Sequence, residues 1–175
     1  MSIWRRIFGR RAVLPHPRGA AIAHPLLGLM RPDERIPQAL AGQLSFRART
    51  IALRAEPDEG TLDEALALLA AAVRTLDELD ARCRALLARD MLDGYNDDGR
   101  FGRGTRAGGA REALGRPRLS PEEFCARLEL NAVDACGAAL LTLWYGDGGM
   151  FGGHSVNVTS LSGLDLADAH TDMFG

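Results

Sequence analysis

Trp144-Tyr145-Gly146-Asp147-Gly148-Gly149-Met150-Phe151-Gly152-Gly153-His154-Ser155-Val156-Asn157-Val158 reads as an apolar strand, a glycine-rich turn and a second strand that opens on His154 and Ser155. Residues 140–145 are apolar on both faces, as a central strand is. Val156 and Val158 share one face of the next strand. Beyond Ser160-Leu161-Ser162-Gly163, residues 164–169 supply a fourth strand. Upstream, Leu128-Glu129-Leu130-Asn131-Ala132 alternates, and Asp134-Ala135-Cys136-Gly137 offers turn chemistry. Consecutive strands in a meander call for an antiparallel sheet.

Helical periodicity lies outside this meander. Thr61-Leu62-Asp63-Glu64 is a capping box, in which the Thr61 hydroxyl and the Glu64 carboxylate each satisfy a backbone N–H. Leu62, Leu66, Leu69, Val73, Leu76, Leu79, Cys83 and Leu86 then form one apolar stripe over residues 61–92, a helix about 45 Å long with a break expected near Thr75. Ser120-Pro121-Glu122-Glu123-Phe124 starts a second, short helix. Leu44, Phe46 and Ala48 alternate in an N-terminal strand or hairpin over residues 44–54, with a bulge or turn where the pattern slips near Thr50. Helices segregated from strands make the fold α+β.

Residues 1–24, with Arg5, Arg6, Arg10 and Arg11, read as a basic flexible tail in which Trp4, Ile7 and Phe8 make at most one amphipathic turn. Residues 25–175 form a single domain, opening on an irregular lead-in over residues 25–43. A mobile Gly/Arg-rich loop at about residues 93–118 interrupts it. That loop holds two decoys. Residues 93–104 imitate a calcium loop but place Tyr95 and Gly104 where ligands belong, and residues 102–107 imitate a dinucleotide fingerprint without the flanking strand and helix.

Composition excludes several chemistries. All 21 basic residues are Arg, so a Walker-type phosphate loop, a Schiff-base enzyme and a kinase-type ATP site each lack their lysine. A net charge of -2 argues against nucleic acid as a partner. No run approaches the roughly 20 apolar residues of a membrane span. Cys83, Cys125 and Cys136 have no metal-ligand spacing, and their odd number suits buried thiols in a reducing cytoplasm.

Asn96, the run Leu119-Ser120-Pro121-Glu122-Glu123-Phe124, and Tyr145-Gly146-Asp147-Gly148 leading to Phe151-Gly152-Gly153-His154-Ser155 resemble the bacterial domain-of-unknown-function family 2262. The resemblance runs from about Pro25 to Gly175. It departs at Gly152, where members usually carry a larger residue, and after Asn96, where a Trp is usual. It implies a compact α+β domain and supplies no established activity.

The candidate site is the turn itself: Asp147, Phe151, Gly153, His154 and Ser155. Gly153-His154-Ser155-Val156-Asn157 nearly spells a nucleophile elbow, but it ends in Asn157 and runs into a strand, so no catalytic residue is assigned. A metal site would need His154 and His170 together. Matching apolar with apolar instead sets Val158 against Ala167 and His154 against Thr171, so no metal or cofactor is expected. His154 is then expected to be structural, its ring accepting a backbone bond in the turn that protonation would break. Asp147 is expected at the exposed end of the turn, and Phe151 exposed towards a partner.

The function expected is a non-enzymatic protein-interaction module, immunity-protein-like in masking another protein. The alternatives are a small hydrolase or metal-dependent enzyme centred on His154 and Asp147, and a structural subunit burying the 61–92 stripe in an oligomer.

Overall fold

A computed structural model describes residues 20–58, 60–99 and 117–175. One eight-stranded sheet runs through it with the strands in chain order. They are β1 (Ile22–His24), β2 (Gly28–Pro32), β3 (Leu40–Phe46), β4 (Arg49–Glu56), β5 (Glu129–Cys136), β6 (Leu140–Gly146), β7 (Ser155–Ser160) and β8 (His170–Phe174). Every neighbouring pair is antiparallel except β4 and β5, which run parallel. Parallel neighbours need a long crossover. Here it carries the helices: α1 (Leu62–Arg74), α2 (Leu76–Gly94) and α3 (Pro121–Arg127).

The capping boxes form as the residue types dictate. Thr61 Oγ1 accepts from Glu64 N–H at 3.2 Å and Thr61 N–H donates to the Glu64 carboxylate at 2.8 Å. Ser120 and Glu123 repeat the pattern at the start of α3. The apolar stripe continues across the break at Thr75, where α1 ends and α2 begins. Five of its eight residues, Leu66, Leu69, Leu76, Leu79 and Cys83, are at most 6% exposed, Leu62, Val73 and Leu86 are partly buried, and Leu87 enters the core beside Leu86. They meet Ile51, Leu53, Val133, Leu141, Leu143, Tyr145, Val156 and Val158 in a single core. The protein's own core takes up most of the stripe, which leaves only the partly buried Leu62, Val73 and Leu86 of the surface that the oligomer reading named.

Several boundaries differ from the sequence reading. Ile22, Ala23 and His24 pair with Met30, Leu29 and Gly28, so the sheet begins within the expected tail. The lead-in at 25–43 contains β2 and the start of β3. The strand or hairpin expected over 44–54 is a tight hairpin, and its turn falls at Arg47 and Ala48 instead of near Thr50; their φ angles of 46° and 62° fit the paired left-handed residues of a two-residue turn. Residues 134–136, expected as a turn, remain in β5, and the turn falls at Gly137. The start of the expected 93–118 loop is helical: α2 ends at Gly94 and a π turn, Tyr95–Gly99, follows. The tail before residue 20, the dinucleotide decoy and most of the 93–118 loop lie outside the described residues.

The C-terminal register is also corrected. Residues 164–169 do not pair as a strand. They hold a 3-10 turn at Gly163–Asp165 and a left-handed Leu166, φ 58°. β8 starts only at His170, so Val158 faces Thr171 and Thr159 faces His170. The apolar matching failed because Leu166 tucks into the core from the loop instead of from a strand, 8% exposed.

Candidate functional site

The turn between β6 and β7 is built around Asp147, which is 3% exposed. Its Oδ1 accepts from Gly149 N–H at 2.8 Å, and its Oδ2 accepts from Phe151 N–H at 2.7 Å and Gly153 N–H at 3.0 Å. Its own carbonyl accepts from Met150 N–H at 3.0 Å, closing the first bend. An ionised carboxylate is acceptor-only, and three amides fill it well. Asp147 therefore sits inside the turn and organises it, where the sequence reading had set it at the exposed end.

Glycine is required at Gly148, where φ is +56° and a Cβ would collide with the Arg127 carbonyl. That close approach seats the turn on the end of α3. Met150 is completely buried. Phe151 also turns inwards, edge-on to Tyr95 at 6.0 Å and to Phe124 at 6.2 Å between ring centroids. It anchors the turn and is not the exposed contact expected of it.

His154 Nδ1 lies 2.6 Å from the Phe151 carbonyl. A carbonyl only accepts, so Nδ1 carries the proton and donates. This reverses the expected polarity: the bond survives protonation of the ring. Ser155 is exposed at the start of β7, with Gly146 and Phe174 as its cross-strand partners. His170 lies on the edge strand, its Nε2 3.5 Å from Asp172 Oδ2, with both side chains about half exposed. His154 and His170 are not cross-strand partners. Among the described residues no group of three or more His, Cys, Asp or Glu stands in an arrangement able to hold a metal ion.

The three motifs behind the sequence resemblance converge on this turn. The Asn96 side chain donates to the Leu119 carbonyl at 3.0 Å and accepts from Leu119 N–H at 2.9 Å, clamping the chain just before α3. Phe124 of α3 then contacts Phe151 of the turn. Each motif supplies a backbone clamp or an aromatic anchor.

Sequence reasoning missed a buried ionic network beneath the turn. Asp80 is fully buried on α2. Its carboxylate accepts from Arg84 Nε at 2.9 Å and from Arg47 Nη1 at 2.8 Å. Arg84 Nη1 also donates to the carbonyls of Cys125 (2.6 Å) and Leu128 (2.7 Å), and its guanidinium lies 5.5 Å from the centre of the Tyr145 ring. The network ties the β3–β4 hairpin, α2 and α3 to β6. One signal was available, because Asp80 falls four residues after Leu76 on the apolar face and four before Arg84. Tyr145 Oη, facing Cys83 and Asp80, is buried without a hydrogen bond of normal geometry among the described residues. Burial, then the neighbouring Cys83 and Asp80, pushes its phenol well above the ordinary value.

The profile of a family described as an uncharacterized protein conserved in bacteria, DUF2262, matches residues 24–170. No curated protein and no solved structure matches the chain. With most of its length matched, the chain belongs to the DUF2262 family.

Proposed function

Starting from membership of an uncharacterised bacterial family, we propose that this chain is a non-enzymatic protein-interaction module of the bacterial cytoplasm, and that its partner docks on the open edge of β8. The observation behind this is β8 itself. Among the described residues it is the last strand of the sheet and pairs with β7 alone, while Met173 and Phe174 are each 50% exposed. An edge strand offers a row of backbone donors and acceptors to an incoming strand. Large apolar side chains beside that row add burial on both sheet faces. Phe174 is already preorganised by Trp144, at 5.4 Å between ring centroids. The neighbouring turn, held by Asp147, also costs little ordering on binding.

Masking of another protein, as an immunity protein does, fits a small domain with a preformed edge. The three cysteines are all unpaired, which agrees with a reducing compartment. The enzyme reading draws no support from the turn, since both oxygens of Asp147 are occupied by backbone amides.

Affinity capture from the native host tests the proposal. The full chain should retain a partner that Phe174→Asp and Met173→Asp each lose and that Arg74→Ala on α1 keeps. A dimeric solution mass that Phe174→Asp reduces would identify the partner as a second copy. Capture indifferent to both β8 substitutions, with a monomeric mass, would overturn the proposal.

A further inference from the structure

The sheet face opposite the helices carries a second polar cluster. Arg54 on β4 and Asp134 on β5 are direct cross-strand partners. Trp144 on β6 donates its Nε1–H to Asp134 Oδ2 at 2.9 Å. Arg54 Nη1 is 3.4 Å from the same oxygen, while Arg54 Nε is 3.6 Å from Asp33 Oδ2. Asp33 is itself fixed at the β2–β3 corner by the amides of Arg35 (2.7 Å) and Ile36 (3.0 Å). One guanidinium thus stands between two carboxylates, and both contacts are longer than a tight charge-assisted bond.

Two atoms of this cluster are buried without a hydrogen-bond partner among the described residues: Asp134 Oδ1 and Arg54 Nε. A covered carboxylate oxygen without a donor is costly while it shares the negative charge. A proton on Oδ1 would remove that charge and leave the Trp144 bond to Oδ2 in place.

We propose that Asp33, Arg54, Asp134 and Trp144 form a proton-gated latch, in which protonation of Asp134 releases Arg54 to Asp33 and fastens the β2–β3 corner to the sheet. The proton comes from solvent onto Asp134 Oδ1, and only the Arg54–Asp134 ion pair breaks. The groups acting on Asp134 are Arg54 from β4, the Trp144 indole from β6 and Asp33 from the β2–β3 corner. Burial pushes the Asp134 carboxyl above its ordinary value against the pull of Arg54 and Trp144, and the Asp33 charge adds to the push. Burial also pushes Asp33 upwards, but the amides of Arg35 and Ile36, and then Arg54, hold it below its ordinary value. As pH falls, Asp134 therefore takes its proton first while Asp33 stays charged to receive Arg54. Because the folded-state value of Asp134 is raised, its contribution to stability is lost as pH rises through that value. It is fully present below the unfolded value of about 3.9.

Tryptophan fluorescence of the full chain carrying Trp4→Phe reads the latch, since Trp144 is then the sole tryptophan. An acid transition is expected with its midpoint above the ordinary Asp value. It should vanish in Asp134→Asn and move to lower pH in Asp33→Asn, which removes the like charge. Amide exchange over residues 33–39 should slow below the midpoint. A transition that persists in Asp134→Asn, a midpoint unmoved by Asp33→Asn, or no transition would each overturn the latch. Should Asp134→Asn fail to fold, the Asp33→Asn shift and the amide exchange decide alone.

Discussion

Asp147 Oδ2 accepts the backbone N–H of Phe151 at 2.7 Å, and this bond joins the polar and apolar halves of the β6–β7 turn. The carboxylate fixes the backbone at the residue whose ring plugs into Tyr95 and Phe124. Asp147→Ala should therefore cost about 3 kcal/mol or more, since three amides lose a charged acceptor. His154→Ala removes one donor from one carbonyl and should cost about 1 kcal/mol. Urea denaturation of both variants checks the ranking, and a larger loss at His154 would show that the ring, not the carboxylate, holds the turn.

The Asp80–Arg84 pair supports a second expectation. Arg84 is 17% exposed and Asp80 fully buried, so removing the acid strands a largely buried guanidinium. Asp80→Ala should cost about 3–5 kcal/mol. Replacing Asp77, whose side chain is 78% exposed and which pairs with the same Arg47, should cost well under 1 kcal/mol. Thermal melts of the two variants give the comparison. Similar melting temperatures would mean that the buried network contributes little.

How much of this was legible follows from where the forces act. The capping boxes at Thr61 and Ser120 were readable because their bonds run between residues three apart, and the stripe on α1 and α2 because burial imposes a period on sequence. The C-terminal meander was readable to its third strand for the same reason. Position β8 was not, because Leu166 reaches the core from a loop and mimics a strand residue. The parallel β4–β5 pairing joins residues about eighty positions apart and leaves no local mark. At the site, the glycines announced a turn, but the identity of its organiser was hidden. Among the described residues Asp147 and His154 both bond only backbone, and which of them is central depends on carbonyl and amide directions that side-chain types do not encode.

The hairpin turn at Arg47 and Ala48 departs from the Asn-Gly preference of such turns, and both residues bear the cost of a positive φ. Ala48→Gly should relieve that cost and stabilise the protein by about 0.5–1 kcal/mol. Arg47→Gly relieves the same strain but loses the contact with buried Asp80, and it should be destabilising overall. Opposite signs for the two substitutions in chemical denaturation are the expected result. Equal stabilisation would mean that the ion pair does not hold the turn.

Thiol reactivity gives a test of how the core opens. Burial, reinforced by the Asp80 charge, pushes the Cys83 thiol up to about 12. Cys125 and Cys136 are also raised by burial, but both are only partly covered. The thiolate is the reactive form, so at neutral pH Cys83 should resist iodoacetamide while the other two are modified. Cys83 lies in the central core between α2 and the sheet, so reaching it requires more than local fraying. Its modification rate should therefore rise with urea in step with global unfolding, whereas the rates at Cys125 and Cys136 should respond less steeply. Peptide mass spectrometry resolves the three sites. Early modification of Cys83 in the absence of denaturant would show that α2 separates from the sheet without unfolding the rest of the domain.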